Sequence, residues 1–237
     1  MESDHPSPVR REIQAIRKRN QAQRNALSPL QVQSWSRQVI QAWTCEWENL
    51  GFTRADVGSL SVALYRAMPG ESDLLELETW CFKQGMKVHY PRVVQKAKES
   101  PASSQKKNES PPFREIEFVE ISCSQSPPSH WVRGAFGIFE PSFELKAVDP
   151  QSLACVFTPG LAFGLGGERI GMGGGFYDRF FLKAPSALRI ALSFDCHVFP
   201  SLPQCPWDQP LHWLWTDQQR FRSPFVDQWL SQRVGGR

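Results

Sequence analysis

Residues 153–182 read LACVFTPGLAFGLGGERIGMGGGFYDRFFL. A short apolar run, Leu153–Thr158, meets Pro159 and a glycine-rich stretch that ends at Gly175. A helix is expected to open near Gly175, carrying Tyr177, Asp178, Phe180, Phe181 and Leu182. Strand, glycine-rich loop, helix is the local grammar of an α/β sheet. The chain has 16 glycines, and eight of them fall between Gly160 and Gly175. Glycine permits positive φ and lets a ligand approach the backbone closely. Successive N–H groups before a helix can then cradle an anion. Arg169 and Arg179 bracket the loop and could neutralise phosphate charge. Asp178 could hold magnesium beside it. A tight structural turn needs glycine as well, so the cluster alone leaves both uses open. No Gly-Lys-Ser/Thr follows, which excludes a Walker A loop. Gly171-x-Gly173-x-x-Phe176 lacks the third glycine of the dinucleotide fingerprint.

Working outward, Arg189–Phe194 and Leu211–Trp215 read as strands, and a helix from Pro224 to about Arg233 closes the chain. Toward the N-terminus, Glu115–Ile121 alternates as a strand does. Lys87–Tyr90 reads as a strand closed by Pro91. A helix from Asp73 to Lys83, capped by Ser72 and ended by Gly85, precedes it. Leu60–Tyr65 reads as a buried strand, which completes a parallel crossover unit. Ser28-Pro29 opens a helix that runs to about Leu50 with one apolar face. Residues 9–26 form the first helix. Its Arg10, Arg17 and Arg24 are seven apart and share one side, because a helix drifts only about 20° per heptad. That side is either solvated or aimed at an anion.

These elements predict one domain over residues 1–237, a three-layer α/β/α fold with a largely parallel sheet. Residues 95–112, QKAKESPASSQKKNESPP, lack large apolar side chains and read as a mobile surface insertion. Hydrophobic residues make up 41% and charged residues 22%, values near the globular average, so disordered and fibrous classes fall away. The net charge of +3 is too mild to imply nucleic-acid binding. No run approaches about 18 apolar residues, so no membrane span is expected, and the start of the chain lacks a secretory pattern. The six cysteines are scattered, without a C-x-x-C pair, which suits thiols in a reducing cytoplasm. Most of the nine tryptophans are expected in the core or in pocket walls.

Residues 158–180 resemble the signature of the 5-formyltetrahydrofolate cyclo-ligase family, roughly P-G-L-A-F-D-x-x-G-x-R-L-G-x-G-x-G-Y-Y-D-R. Pro159, Gly160, Leu161, Ala162, Phe163, Gly167, Arg169, Gly171, Gly173, Gly175, Tyr177, Asp178 and Arg179 match it. Arg17 with Arg24 and Leu27-Ser28 resembles the family's N-terminal basic helix. Tyr65-Arg66-Ala67-Met68-Pro69-Gly70-Glu71 resembles its substrate loop, and Gly137-Ile138-Phe139-Glu140-Pro141 its G-I-x-E-P element. Pro206-Trp207-Asp208 loosely resembles its closing acidic segment. Ile13 stands where the family usually has lysine, and Gly164 where it has aspartate. Met172 and Phe176 also depart from the pattern.

The resemblance implies a Rossmann-like fold of the kind shared with NagB, RpiA and CoA transferases. It implies a cytoplasmic, monomeric enzyme that uses ATP and magnesium to convert 5-formyltetrahydrofolate to 5,10-methenyltetrahydrofolate. It assigns Arg169, Asp178 and Tyr177 to catalysis. Arg17, Arg169, Ile170, Gly171, Met172, Gly173, Gly174, Gly175, Phe176 and Tyr177 would bind ATP. Tyr65, Arg66, Glu71 and Tyr177 would bind the reduced folate, and Asp178 and Asp208 the metal. Two other readings stay open here: a folate- or nucleotide-binding protein without turnover, and another α/β enzyme whose glycine loop holds a phosphosugar or a coenzyme A thioester. Nucleic acid and membrane are not expected partners.

Overall fold

The computed structural model describes residues 7–47, 60–96, 113–122, 130–134 and 137–234. Ser7 caps helix α1 (Pro8–Asn25), and proline enters its first turn, where the missing N–H costs nothing. Ser28 caps α2 (Pro29–Glu46) in a reciprocal capping box with Gln31. The chain then forms β1 (Ser61–Ala63), α3 (Leu75–Lys83), β2 (Lys87–Lys96) and β3 (Phe113–Ile121). A small hairpin follows, β4 (Trp131–Arg133) and β5 (Phe139–Pro141). Next come β6 (Cys155–Phe157), β7 (Ala162–Gly164), β8 (Arg169–Ile170) and α4 (Phe176–Phe181). The remainder is β9 (Leu188–Leu192), β10 (Val198–Phe199), β11 (Trp213–Trp215), β12 (Arg220–Arg222) and α5 (Phe225–Val234).

Seven strands form the main sheet in the order β12-β11-β9-β6-β1-β2-β3. The five inner strands are parallel, and the two edges, β12 and β3, are antiparallel. Alternate residues feed two cores, as a period of two requires. Val62, Leu64, Cys155 and Phe157 join Val39, Ile40 and Trp43 of α2 and Leu77 and Cys81 of α3. Ala63 and Val156 face the other way, toward Phe180 and Phe181 of α4. The expected three layers and mostly parallel sheet are present.

Local differences have physical causes. Ser72 does not cap α3; the Asp73 carboxylate accepts the Leu75 N–H at 3.1 Å, and the Ser72 hydroxyl is buried without a partner. Pro91 does not end β2, which continues to Lys96. β1 stops alongside His89, so the proline stands where only β3 still flanks the strand and one lost donor is tolerated. Gln95 and Lys96 of the expected insertion belong to β2 and pair with Arg114 and Phe113. Residues 97–112 lie outside the described residues, as do residues 48–50 at the expected end of α2. The glycine-rich stretch is two structures, not one loop. Its first half is the β7–β8 hairpin, which pairs with β10 in a small second sheet. Only Gly171–Gly175 is the loop that enters α4.

Candidate active site

β1 lies between β2 and β6. The chain leaves β1 through α3 toward one side of the sheet and leaves β6 through α4 toward the other. The carboxyl ends of β1 and β6 therefore diverge and open a crevice, the place where open α/β sheets bind ligands. The two stretches singled out in the sequence, Tyr65–Glu71 and Thr158–Phe180, are the segments that follow these two strands.

On the β1 side, Glu71 forms an ion pair with Arg24, Oε1 to Nη1 at 2.6 Å, with side chains 7% and 1% exposed. Its Oε2 accepts the Met68 N–H at 2.8 Å. Burial pushes the Glu71 carboxyl up, and the Arg24 charge and the Met68 N–H pull it back. Gly70 makes this fit possible. Its φ is +77°, and a Cβ there would come within 2.4 Å of the Arg24 carbonyl oxygen. Tyr65 is buried and donates its hydroxyl to the Ser72 carbonyl at 3.3 Å. The Arg66 guanidinium lies 4.6 Å from the Tyr90 ring and 4.4 Å from the Trp131 ring, with the Glu78 carboxylate at 3.7 Å. These contacts anchor the loop that carries Glu71, while the Arg66 side chain stays 30% exposed.

On the β6 side, Arg169 of β8 donates from Nη2 to both carboxylate oxygens of Asp178 at 3.0 Å. Its guanidinium sits 5.7 Å from the Tyr177 ring. Arg169 Nε is buried and has no partner among the described residues, a donor that an anion would satisfy. Asp178 Oδ1 also accepts the Gln209 N–H at 3.2 Å. Ile170 is buried beneath the loop, whereas Met172 is 59% exposed. Phe176 carries the Arg179 guanidinium over its ring at 5.5 Å, and Gly174 packs against that ring. From α1, Arg17 Nε donates to the Gly171 carbonyl at 2.8 Å. Gly173 has φ +97°, and a Cβ there would lie 3.3 Å from the Arg17 guanidinium.

The two sides share one electrostatic environment. The Tyr177 hydroxyl is pushed up first by burial and then by the Glu71 charge, with Arg169 opposing. Tyr65 is raised by burial, Glu71 and Tyr177 together. Asp208 stands apart in role: its Oδ2 accepts the Cys205 N–H at 2.8 Å and closes a tight turn. Among the described residues no group of three or more His, Cys, Asp or Glu is placed to hold a metal.

The arginine row of α1 runs from an exposed Arg10 through a half-buried Arg17 to a buried Arg24, and each reaches another part of the chain. Arg10 stacks over Trp207 at 5.6 Å, Arg17 reaches Gly171, and Arg24 reaches Glu71. Ile13 joins an apolar cluster with Ala162, Ile170 and Leu202 and seats the helix on the small sheet. At Gly164, a Cβ would come within 2.2 Å of Glu168 Oε2, an atom that is buried without a hydrogen-bond partner. The sequence reading missed the Arg24–Glu71 pair, although the heptad spacing was its signal. It also missed Gln209 and Glu168, for which no local pattern exists.

A profile of the 5-formyltetrahydrofolate cyclo-ligase family matches residues 9–217. The chain belongs to that family. It is 29% identical over 154 residues to a 5-formyltetrahydrofolate cyclo-ligase of Escherichia coli K12, a match covering 64% of this chain and 74% of that protein. It is 39% identical over 88 residues to the cyclo-ligase of Haemophilus influenzae, 36% of this chain and 47% of that one. The solution structure of the Aquifex aeolicus 5,10-methenyltetrahydrofolate synthetase superposes with a TM-score of 0.64 at 28% identity, covering 90% of this chain and 93% of that one. The Mycoplasma pneumoniae synthetase superposes at 0.60 with 19% identity, over 87% and 99% of the two chains, and supports the fold. The relatives are named as ligases of folate metabolism. No described helix is long and apolar enough to cross a membrane.

Proposed function

We propose that this cyclo-ligase family member converts 5-formyltetrahydrofolate to 5,10-methenyltetrahydrofolate at the expense of ATP. One observation supports the reading: the glycine loop with Arg169, Tyr177 and Asp178 and the Glu71 loop follow the neighbouring strands β6 and β1, near enough for the Glu71 charge to act on the Tyr177 hydroxyl. Phosphoryl transfer to a folate needs those two recognition sites side by side. The formyl oxygen attacks the γ-phosphorus and ADP departs. The neighbouring aryl amine then attacks the activated formyl carbon and closes the ring, and phosphate departs carrying the proton that the amine gives up. Positioning and charge neutralisation dominate such a reaction.

The residues have matching capacities. The partnerless Nε of Arg169 and the N–H groups of residues 171–175 would bind phosphate oxygens, with Arg17 at the loop's edge. The Glu71 oxygens each retain acceptor capacity beyond Arg24 and Met68, enough for the N–H edge of a pterin. Tyr65 and Tyr177 would wall that ring. Magnesium requires only one or two protein carboxylates when substrate phosphates and waters complete its shell. Asp178 fits this limited role, with Asp208 as a second carboxylate, its neighbour Gln209 being bonded to Asp178. Bound magnesium would neutralise phosphate charge. We place the enzyme in the cytoplasm as a monomer, with reduced folate as its partner and neither nucleic acid nor membrane.

The test mixes the protein with 5-formyltetrahydrofolate, magnesium and ATP and follows the near-ultraviolet absorbance of the methenyl product. An ATP-dependent rise is expected. Folate binding without that rise would favour a non-turning-over binder, the outcome that apolar Ile13 in place of lysine would explain. Neither signal would sink the folate reading.

A further inference from the structure

Arg66 stands just beyond β1 and lies against Tyr90 of β2 and Trp131 of the β4–β5 hairpin. This is the β2 flank of the crevice, opposite the β6 wall. The two rings meet edge to face at 70°, with centroids 5.2 Å apart, and form a corner. The Arg66 guanidinium fills that corner, 4.6 Å and 4.4 Å from the ring centres. A planar cation set against two rings has lost most of its freedom before any ligand arrives.

Its hydrogen-bonding capacity is still open. The carboxylate beside it, Glu78 Oε2, lies 3.7 Å from Nη1, beyond hydrogen-bond reach, and already accepts the Tyr90 hydroxyl. Among the described residues no acceptor takes an Arg66 N–H. Arg92 shows the alternative. It too rests on a ring, that of Phe143 at 4.9 Å, but Glu117 and the Ser142 carbonyl engage its donors, and it is 6% exposed. Arg66 is 30% exposed and Glu78 only 4%, so the open part of the fork is the part turned away from Glu78.

A guanidinium with a fixed plane, open donors and access to water is a receptor for a carboxylate, which it can grip bidentately. The proposed substrate carries such groups. Its p-aminobenzoyl unit ends in a glutamyl residue with an α- and a γ-carboxylate. With the pterin edge at Glu71 and the phosphates over the glycine loop, the β2 flank is the side left for this tail. Arg66 and Glu71 are five residues apart, so their Cα atoms are separated by at most about 18 Å.

We infer that Arg66 binds a carboxylate of the glutamyl tail and makes the site prefer a folate over the same molecule without tail charge. The inference rests on the folate reading given above and names the part of the substrate that this residue selects.

Calorimetric titration of the full chain, with magnesium and a non-hydrolysable ATP analogue present, tests this. The probes are 5-formyltetrahydrofolate and its tail diamide, in which both carboxylates are carboxamides. Wild type is expected to bind the diamide about tenfold more weakly, the lower end of what a hydrogen bond to a charged group contributes. Arg66→Met should weaken folate binding about tenfold and leave the diamide within about twofold of wild type, so that the two ligands converge. Arg66→Lys should recover only part of the preference, because a point charge lacks the planar fork. Equal losses for both ligands in Arg66→Met would make the residue a support of the Glu71 loop and overturn the inference. A preference that survives Arg66→Met would place the tail elsewhere and overturn it as well. A wild type that binds both ligands alike would overturn it with the folate reading intact. Binding of neither ligand would overturn the folate reading and the inference with it.

Discussion

On the β1 wall of the crevice, Arg24 and Glu71 are almost wholly out of water, Gly70 is wedged against the Arg24 backbone, and Tyr65 is bonded to Ser72. On the β6 wall, Met172, Gly173 and Gly174 stand in solvent, and one of the few bonds reaching the loop from elsewhere is Arg17 to Gly171. The first wall is fixed in place before any ligand arrives, although Arg24 Nε and the Ser72 hydroxyl are buried there without a partner. The second presents donors that still lack an acceptor, Arg169 Nε among them. A flat, planar ligand suits the buried first wall, because recognition by a carboxylate depends on fixed orientation. A flexible polyanion suits the other, because exposed backbone N–H groups lose little by waiting in water.

The contrast can be broken from either side. The largest stability effect is expected from Arg24→Ala, which strands the buried Glu71 carboxylate and should cost about 3–5 kcal/mol in chemical denaturation. Arg24→Ala with Glu71→Gln should recover part of that loss. Next come Arg169→Ala and Asp178→Ala, each expected to lower ATP-dependent turnover by about 100-fold or more while circular dichroism keeps the native spectrum. Normal turnover in both would remove the catalytic assignment.

Acid should loosen the β1 wall. His197 is buried beside Arg24, and burial, helped by that charge, lowers its imidazole to about 4 from the ordinary 6.5. The unfolded chain therefore binds this proton first, so the stability it contributes is present above about pH 6.5 and lost as pH falls toward about 4. Glu71, raised by burial, works in the opposite sense. The melting temperature should fall across this window, and His197→Gln should flatten the slope; an unchanged slope would assign the acid sensitivity elsewhere. The smallest effect is expected from Gly173→Ala. Its positive φ should cost about 1 kcal/mol in stability, while displacement of Arg17 raises the ATP KM more than the folate KM.

The sequence carried the layers well because buried parallel strands are short apolar runs and each helix has a cap or an apolar stripe. It carried the glycine loop because Arg169, Tyr177 and Asp178 stand within one continuous motif. It carried less where tertiary pairing overrides local preference. β2 runs through Pro91 because β3 holds it on one side, and the β12 edge, Arg220–Arg222, is only three residues long, too short for its single apolar side chain to announce it. The Arg24–Glu71 pair spans 47 residues, so no local window contains it. Arg66, which the resemblance put in the substrate loop, leans on Tyr90, Trp131 and Glu78 while its side chain stays 30% exposed.

Gly164 and Glu168 face each other across the β7–β8 turn, and the carboxylate of Glu168 fills the space that a side chain at 164 would need. The two positions are therefore bound by epistasis. An aspartate at 164, the usual residue in the family pattern, would meet a second carboxylate at its own site. Glu168 is only partly buried and its carboxylate is the free end of a flexible side chain, so a side chain at 164 would turn that carboxylate outward, and the cost of either substitution depends on the other residue.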